Sequence, residues 1–109
     1  MIALKPGAKL THLTPQMVLA AQVVNDAYKA HAVDLCVITS ANDGTHGPTT
    51  LHHKGQALDF RIHNVPQASR PAVVEAIKRA LLSGEGQYEV YWEAVGTEQE
   101  HLHVEWDPK

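Results

Sequence analysis

The chain has a single cysteine, Cys36, which excludes an internal disulfide and any zinc site built on several thiolates. That thiol sits in the apolar run Leu35 to Ile38 and reads as a small buried hydrophobe. Basic residues form no run longer than the pair Lys78-Arg79, and formal net charge is −3. A basic patch able to hold a phosphate backbone is therefore missing, and no nucleic-acid partner is expected. No apolar stretch approaches the ~20 residues that span a bilayer, so no membrane insertion is expected either. Also missing are a helical His-Glu-x-x-His motif, a glycine-rich phosphate loop and a nucleophile elbow, since Ser40 lacks the flanking glycines. These gaps remove the helix-based zinc proteases and the commonest nucleotide and serine chemistries. No internal repeat, low-complexity tract or linker divides the 109 residues, so one domain spanning 1–109 is expected.

Histidine is what the chain has in quantity, with 8 residues. His12, His31 and His63 stand alone and read as surface polar residues. The pairs His52/His53 and His101/His103 have neighbours that also suit a metal. One stretch runs from His52 to Asp59, the other from Glu98 to Glu105. Together they supply imidazoles and carboxylates, the set Zn²⁺ takes when thiolates are absent.

A coarse pass along the chain places these stretches. Pro15 to Val33 reads as an amphipathic helix, with Thr14 as N-cap and Met17, Ala20, Ala21, Val24 and Tyr28 on one face. Leu35 to Thr39 reads as a buried strand and Ser40 to Thr50 as a loop. Ala57 to Ile62 reads as a strand with Leu58, Phe60 and Ile62 inward and Ala57, Asp59 and Arg61 outward. A second helix is expected from Arg70 to about Leu82, capped by Ser69 and stopped near Gly84. Tyr88 to Val95 and His101 to Trp106 read as strands joined across Gly96 to Glu100. The class is α+β: a small, mainly antiparallel sheet flanked by two main helices.

On the last strand, His101 and His103 point to one face while Leu102 and Val104 point to the core. His52 and Asp59 are seven residues apart, and a turn at Gly55 can fold the first back toward the second. His53 is an alternative to His52. A metal-assisted hydrolase also needs a general base. Glu98 and Glu100 are both near enough in sequence, Glu98 reading more simply as solvated charge. Glu105 shares the parity of the two histidines and can orient an imidazole from behind.

Thr50 to Asp59 resembles the Ser-x-His-x-x-Gly-x-Ala-x-Asp motif of the zinc D-Ala-D-Ala peptidases, and Glu100-His101-Leu102-His103 resembles their second motif, an acidic residue three before a zinc histidine. That group includes D-alanyl-D-alanine carboxypeptidases and phage L-alanyl-D-glutamate endopeptidases. It is akin to the His-x-His murein endopeptidases and the Hedgehog signalling domain. The resemblance covers about Leu35 to Trp106. It implies Zn²⁺ held by His52, Asp59 and His103, with Glu100 as general base and His101 assisting. It implies a peptidoglycan stem peptide as substrate, hydrolysed by metal-activated water. Thr50 stands in the position of the motif's serine and is a candidate for substrate contact. Many carboxypeptidases of the group carry an arginine in the loop after the first strand. None occurs between Ser40 and His46 here, and Arg61 is the candidate to replace it. A non-catalytic, zinc-stabilised module of the same fold is the alternative. A monomer is expected, made in the cytoplasm without a signal peptide and acting on the cell wall after phage-type release.

Overall fold

The computed structural model describes residues 1–41, 55–82 and 87–107. Its elements are β1 (Ile2–Leu4), α1 (Pro15–Ala30), β2 (Cys36–Ser40), β3 (Ala57–Arg61), α2 (Arg70–Leu82), β4 (Tyr88–Glu93) and β5 (His101–Trp106). The five strands form one sheet in the order β1-β2-β3-β5-β4. β1 runs parallel to β2 and the other three pairings are antiparallel. The class is therefore α+β, with a mixed sheet rather than a purely antiparallel one.

α1 begins where its sequence says it should. Thr14 is extended (ψ 154°), and its hydroxyl accepts from the Met17 N–H at 3.3 Å, with Pro15 in the first turn. Its end comes at Ala30 instead of Val33. Ala32 adopts φ 63°, and the N–H groups of Ala32 and Val33 donate to Lys29 and Tyr28 carbonyls. This is a Schellman closure with alanine in the place glycine usually fills. α2 is preceded by a 3₁₀ turn, Gln67–Ser69, so Ser69 is inside the helical run and is not its cap.

The core is one-sided. The buried residues of both helices, including Met17, Val24, Tyr28, Val73 and Ile77, join Leu58, Phe60, Leu102 and Val104 in a single cluster. Each fully buried side chain of this size contributes roughly 1.5–3 kcal/mol of hydrophobic stabilisation. Alternation sends the intervening strand residues to the opposite face. The pairing register then fixes their neighbours. Across β3, β5 and β4 the outward rows read Arg61-His101-Glu93, Asp59-His103-Tyr91 and Ala57-Glu105-Glu89.

Two local features shape the edge of this face. Between β2 and β3 the register slips, with Ile38 opposite Phe60 but Ser40 opposite Asp59. Thr39 is the extra residue of a bulge, a device that re-aims side chains beside it. Gly55 has φ 71°, and a Cβ there would meet the His12 side chain at 2.9 Å and the His12 carbonyl oxygen at 3.0 Å. Its own carbonyl accepts from the Thr14 N–H at 3.0 Å. Only glycine meets both the left-handed backbone and the close approach.

Candidate active site

Asp59 and His103 are direct partners across β3 and β5, and Asp59 Oδ1 lies 2.7 Å from His103 Nδ1. The other ring nitrogen, Nε2, lies 2.8 Å from Glu105 Oε1. Burial of the imidazole disfavours its charge, but hydrogen bonds to Asp59 and Glu105 and the charges of both carboxylates outweigh burial. The His103 pKa rises from 6.5 to about 9. Metal-free, His103 is an imidazolium clamped between two carboxylates.

The adjoining row holds His101. Its Nδ1 is 2.7 Å from the Gln99 carbonyl oxygen, which can only accept, so Nδ1 carries a hydrogen. Its Nε2 lies 2.9 Å from Glu93 Oε1 and 3.9 Å from Asp59 Oδ1. The Glu93 carboxylate is about half exposed, at 48%. Asp59, His103, His101 and Glu93 thus form one connected group on the face of the sheet that, among the described residues, no helix covers. Tyr91 stands over His103 with ring centroids 6.0 Å apart.

Glu100 is placed differently from the general base expected of it. The residue is only 5% exposed. Its parity is that of Leu102 and Val104, which directs its side chain toward the helix layer. There it accepts from Arg70 Nη1 at 3.2 and 3.3 Å, from the Trp92 indole at 2.8 Å and from the Gly96 N–H at 3.1 Å. Burial alone would raise its pKa, but these donors more than offset it and hold the carboxyl below its ordinary value. A carboxylate with four donor contacts and a depressed pKa is a poor proton acceptor. Arg70 also donates to the Val65 and His63 carbonyls, at 2.9 and 3.2 Å. The cluster pins the β4–β5 hairpin to the start of α2.

Thr50, His52 and His53 lie outside the described residues. Arg61 and Glu98 line a cleft of about 540 Å³ beside Asp59 and His101.

No family model, curated protein or solved structure matches the chain. The peptidase resemblance therefore rests on the motif residues alone.

The spacing of the Asp59 and His103 donors is close to that of a zinc site. Two ligands bound at about 2.0–2.1 Å in tetrahedral geometry stand about 3.3 Å apart. The Asp59–His103 contact is shorter by about 0.6 Å, so an ion in place of the shared proton needs only a small separation of the two side chains. Glu105 behind Nε2 is the carboxylate partner that a metal-bound histidine ordinarily keeps. Aspartate, histidine and a backing carboxylate fit the ion. A different acidic group lies lower on the face. Oxygens of Glu89, Glu105 and Asp107 all fall within 4.8 Å of one another. Burial and the Glu89 carboxylate push the Glu105 pKa up, against the pull of His103.

Sequence reasoning missed Glu93. It lay in an expected strand and carried no motif. Its contact with His101 becomes visible only once the register sets the two opposite each other.

Proposed function

We propose that this chain is a zinc peptidase hydrolysing the stem peptides of peptidoglycan, of the D-Ala-D-Ala carboxypeptidase or L-Ala-D-Glu endopeptidase type. The observation that supports it best is the shared sheet face of Asp59, His103, His101 and Glu93, with Asp59 Oδ1 meeting His103 Nδ1 at 2.7 Å. Asp59 and His103 would hold the ion together with His52. Zinc would supply Lewis acidity and a water reactive at neutral pH.

The remaining steps belong to the chain's own groups. Glu105 fixes the ring of His103 through Nε2. Glu93, solvent-facing and bonded only through His101 at Oε1 among the described residues, takes the proton of the attacking water at its other oxygen, Oε2, and returns it to the leaving amine. His101, its ring oriented by the Gln99 carbonyl, acts as an imidazolium and donates its Nε2–H to the oxygen that gains charge. The base role passes from Glu100 to Glu93, and Glu100 becomes a residue that positions the hairpin.

The non-catalytic module remains the second reading, favoured by one observation: the motif glutamate is occupied by Arg70. Digestion of purified peptidoglycan, read by mass spectrometry alongside metal analysis, separates the two. Glu93→Gln is expected to keep zinc and lose turnover by about 10²–10⁴-fold. Turnover retained in Glu93→Gln moves the base elsewhere. Zinc-loaded wild-type protein that releases no fragment leaves only the binding module.

A further inference from the structure

β4 ends the sheet, and among the described residues no strand lies beside its outer edge. One bond fixes which backbone groups face that way. The Asp107 N–H donates to the Gln87 carbonyl at 2.8 Å, so Gln87 and Asp107 are a bonded pair of the β4–β5 ladder. Alternation then turns the N–H and C=O groups of Glu89, Tyr91 and Glu93 toward β5, and those of Tyr88, Val90 and Trp92 outward. The Trp106 N–H agrees, donating to the Gln56 carbonyl on the β3 side at 2.8 Å. Among the described residues the outward groups have no hydrogen-bond partner.

Strand edges are ordinarily blunted by lysine, proline, a bulge or short length. β4 has six residues, none of them lysine or proline, and its register with β5 is unbroken from Tyr88 to Glu93. Its charged residues are Glu89 and Glu93, both on the face turned from the helices. These two oppose a second copy. Antiparallel pairing of two β4 edges centred on Tyr91 sets Glu89 directly against the other copy's Glu93. Centred on Val90, it sets Glu89 diagonal to both glutamates, roughly 7–8 Å away, and like charges so placed destabilise the pair. Glu89 is also crowded by Glu105 and Asp107, with oxygens of the three within 4.8 Å of one another. His103 pairs with Glu105. A cation on an added strand is drawn to this end of the edge.

We propose that the outer edge of β4 binds an extended peptide segment as a sixth, antiparallel strand, and that the segment carries a lysine or arginine opposite Glu89. Its backbone bonds form at Tyr88, Val90 and Trp92, the general mode of edge-strand recognition. Glu89 and Tyr91 take the positions between, where facing side chains come closest. The cation therefore meets Glu89. A β-branched residue two positions away meets the ring of Tyr91, which is 44% exposed. The inference does not rest on the peptidase reading.

The probe is the blocked peptide Ac-Thr-Ser-Thr-Val-Thr-Lys-Thr-NH2, titrated into the full chain at low ionic strength and followed by amide NMR shifts. With its valine opposite Tyr91 and its lysine opposite Glu89, the amide signals of Tyr88, Val90 and Trp92 are expected to move. Glutamate in place of the lysine is expected to weaken binding about fivefold or more, and Glu89→Gln to remove most of that difference. The backbone bonds are tested on the peptide, so folding of a variant does not enter. N-methylation of the two threonines flanking valine blocks the donors that face β4 and should abolish binding. N-methylation of valine and lysine blocks donors that face away and should leave affinity within about twofold. Equal binding of the lysine and glutamate peptides overturns the inference. So does a difference that survives Glu89→Gln, or binding that survives methylation at the flanking threonines. A chain that sediments as a dimer and takes up no peptide also overturns it, and gives the edge to a second copy.

Discussion

His103 carries the most sharply tuned charge on the face. Its folded pKa of about 9 exceeds the ordinary 6.5, so the protonated form is favoured by folding. That stabilisation is fully present below pH 6.5 and is lost as pH rises through 9. It is worth on the order of 3 kcal/mol. Chelator-treated protein is therefore expected to lose melting temperature between those values, and His103→Gln to flatten the profile. Zinc competes with the same proton, so its affinity rises over this window and protons are released on binding. An affinity independent of pH would mean that the ion does not use His103. Glu100 makes the opposite kind of prediction. Glu100→Gln leaves the Arg70 guanidinium short of its counter-charge in a half-closed setting. We expect a fall of several degrees in melting temperature, with turnover per folded molecule largely kept. Turnover lost with no change in stability would restore Glu100 as the base.

At the level of elements, alternation and capping made most of the fold readable in the sequence. Leu58, Phe60, Leu102 and Val104 are buried and Asp59, Arg61, His101 and His103 face outward, as a period of two requires. What escaped did so for physical reasons. β1 has three residues, Ile2–Leu4, and takes its strand character from parallel pairing with β2, a long-range event with no local signal. α1 stops at Ala30 because of a left-handed alanine, where sequence rules look for glycine or asparagine. The same alanine is a source of strain. Ala32→Gly is expected to raise stability by about 1 kcal/mol, read by denaturant melts, because a left-handed alanine costs about 1–2 kcal/mol. No gain would mean that the unfolded chain's added freedom cancels the relief. The burial of Glu100 escaped for a similar reason, since nothing local announces Arg70, thirty positions earlier.

For the whole molecule, the sheet divides labour between its faces. Among the described residues both helices cover one side, and the other gathers polar groups whose spacing is set by backbone pairing rather than by packing. Asp59, His103 and Glu105 come from two strands already locked in register. A cation held there bridges β3 and β5 and binds only the folded sheet, so it stabilises by mass action. At a zinc concentration a hundredfold above the dissociation constant the gain is about 2.7 kcal/mol. For a domain near this size that corresponds to a rise of roughly 10–20 °C in melting temperature. Asp59→Asn removes a charged donor while leaving the β3–β5 ladder intact, and its melting temperature is expected to respond weakly to zinc. The acidic group Glu89, Glu105 and Asp107 supplies the internal control, since Glu89→Gln should leave the wild-type response in place. A response that follows Glu89 instead of Asp59 would move the metal site down the same face, and with it the chemistry proposed for His101 and Glu93.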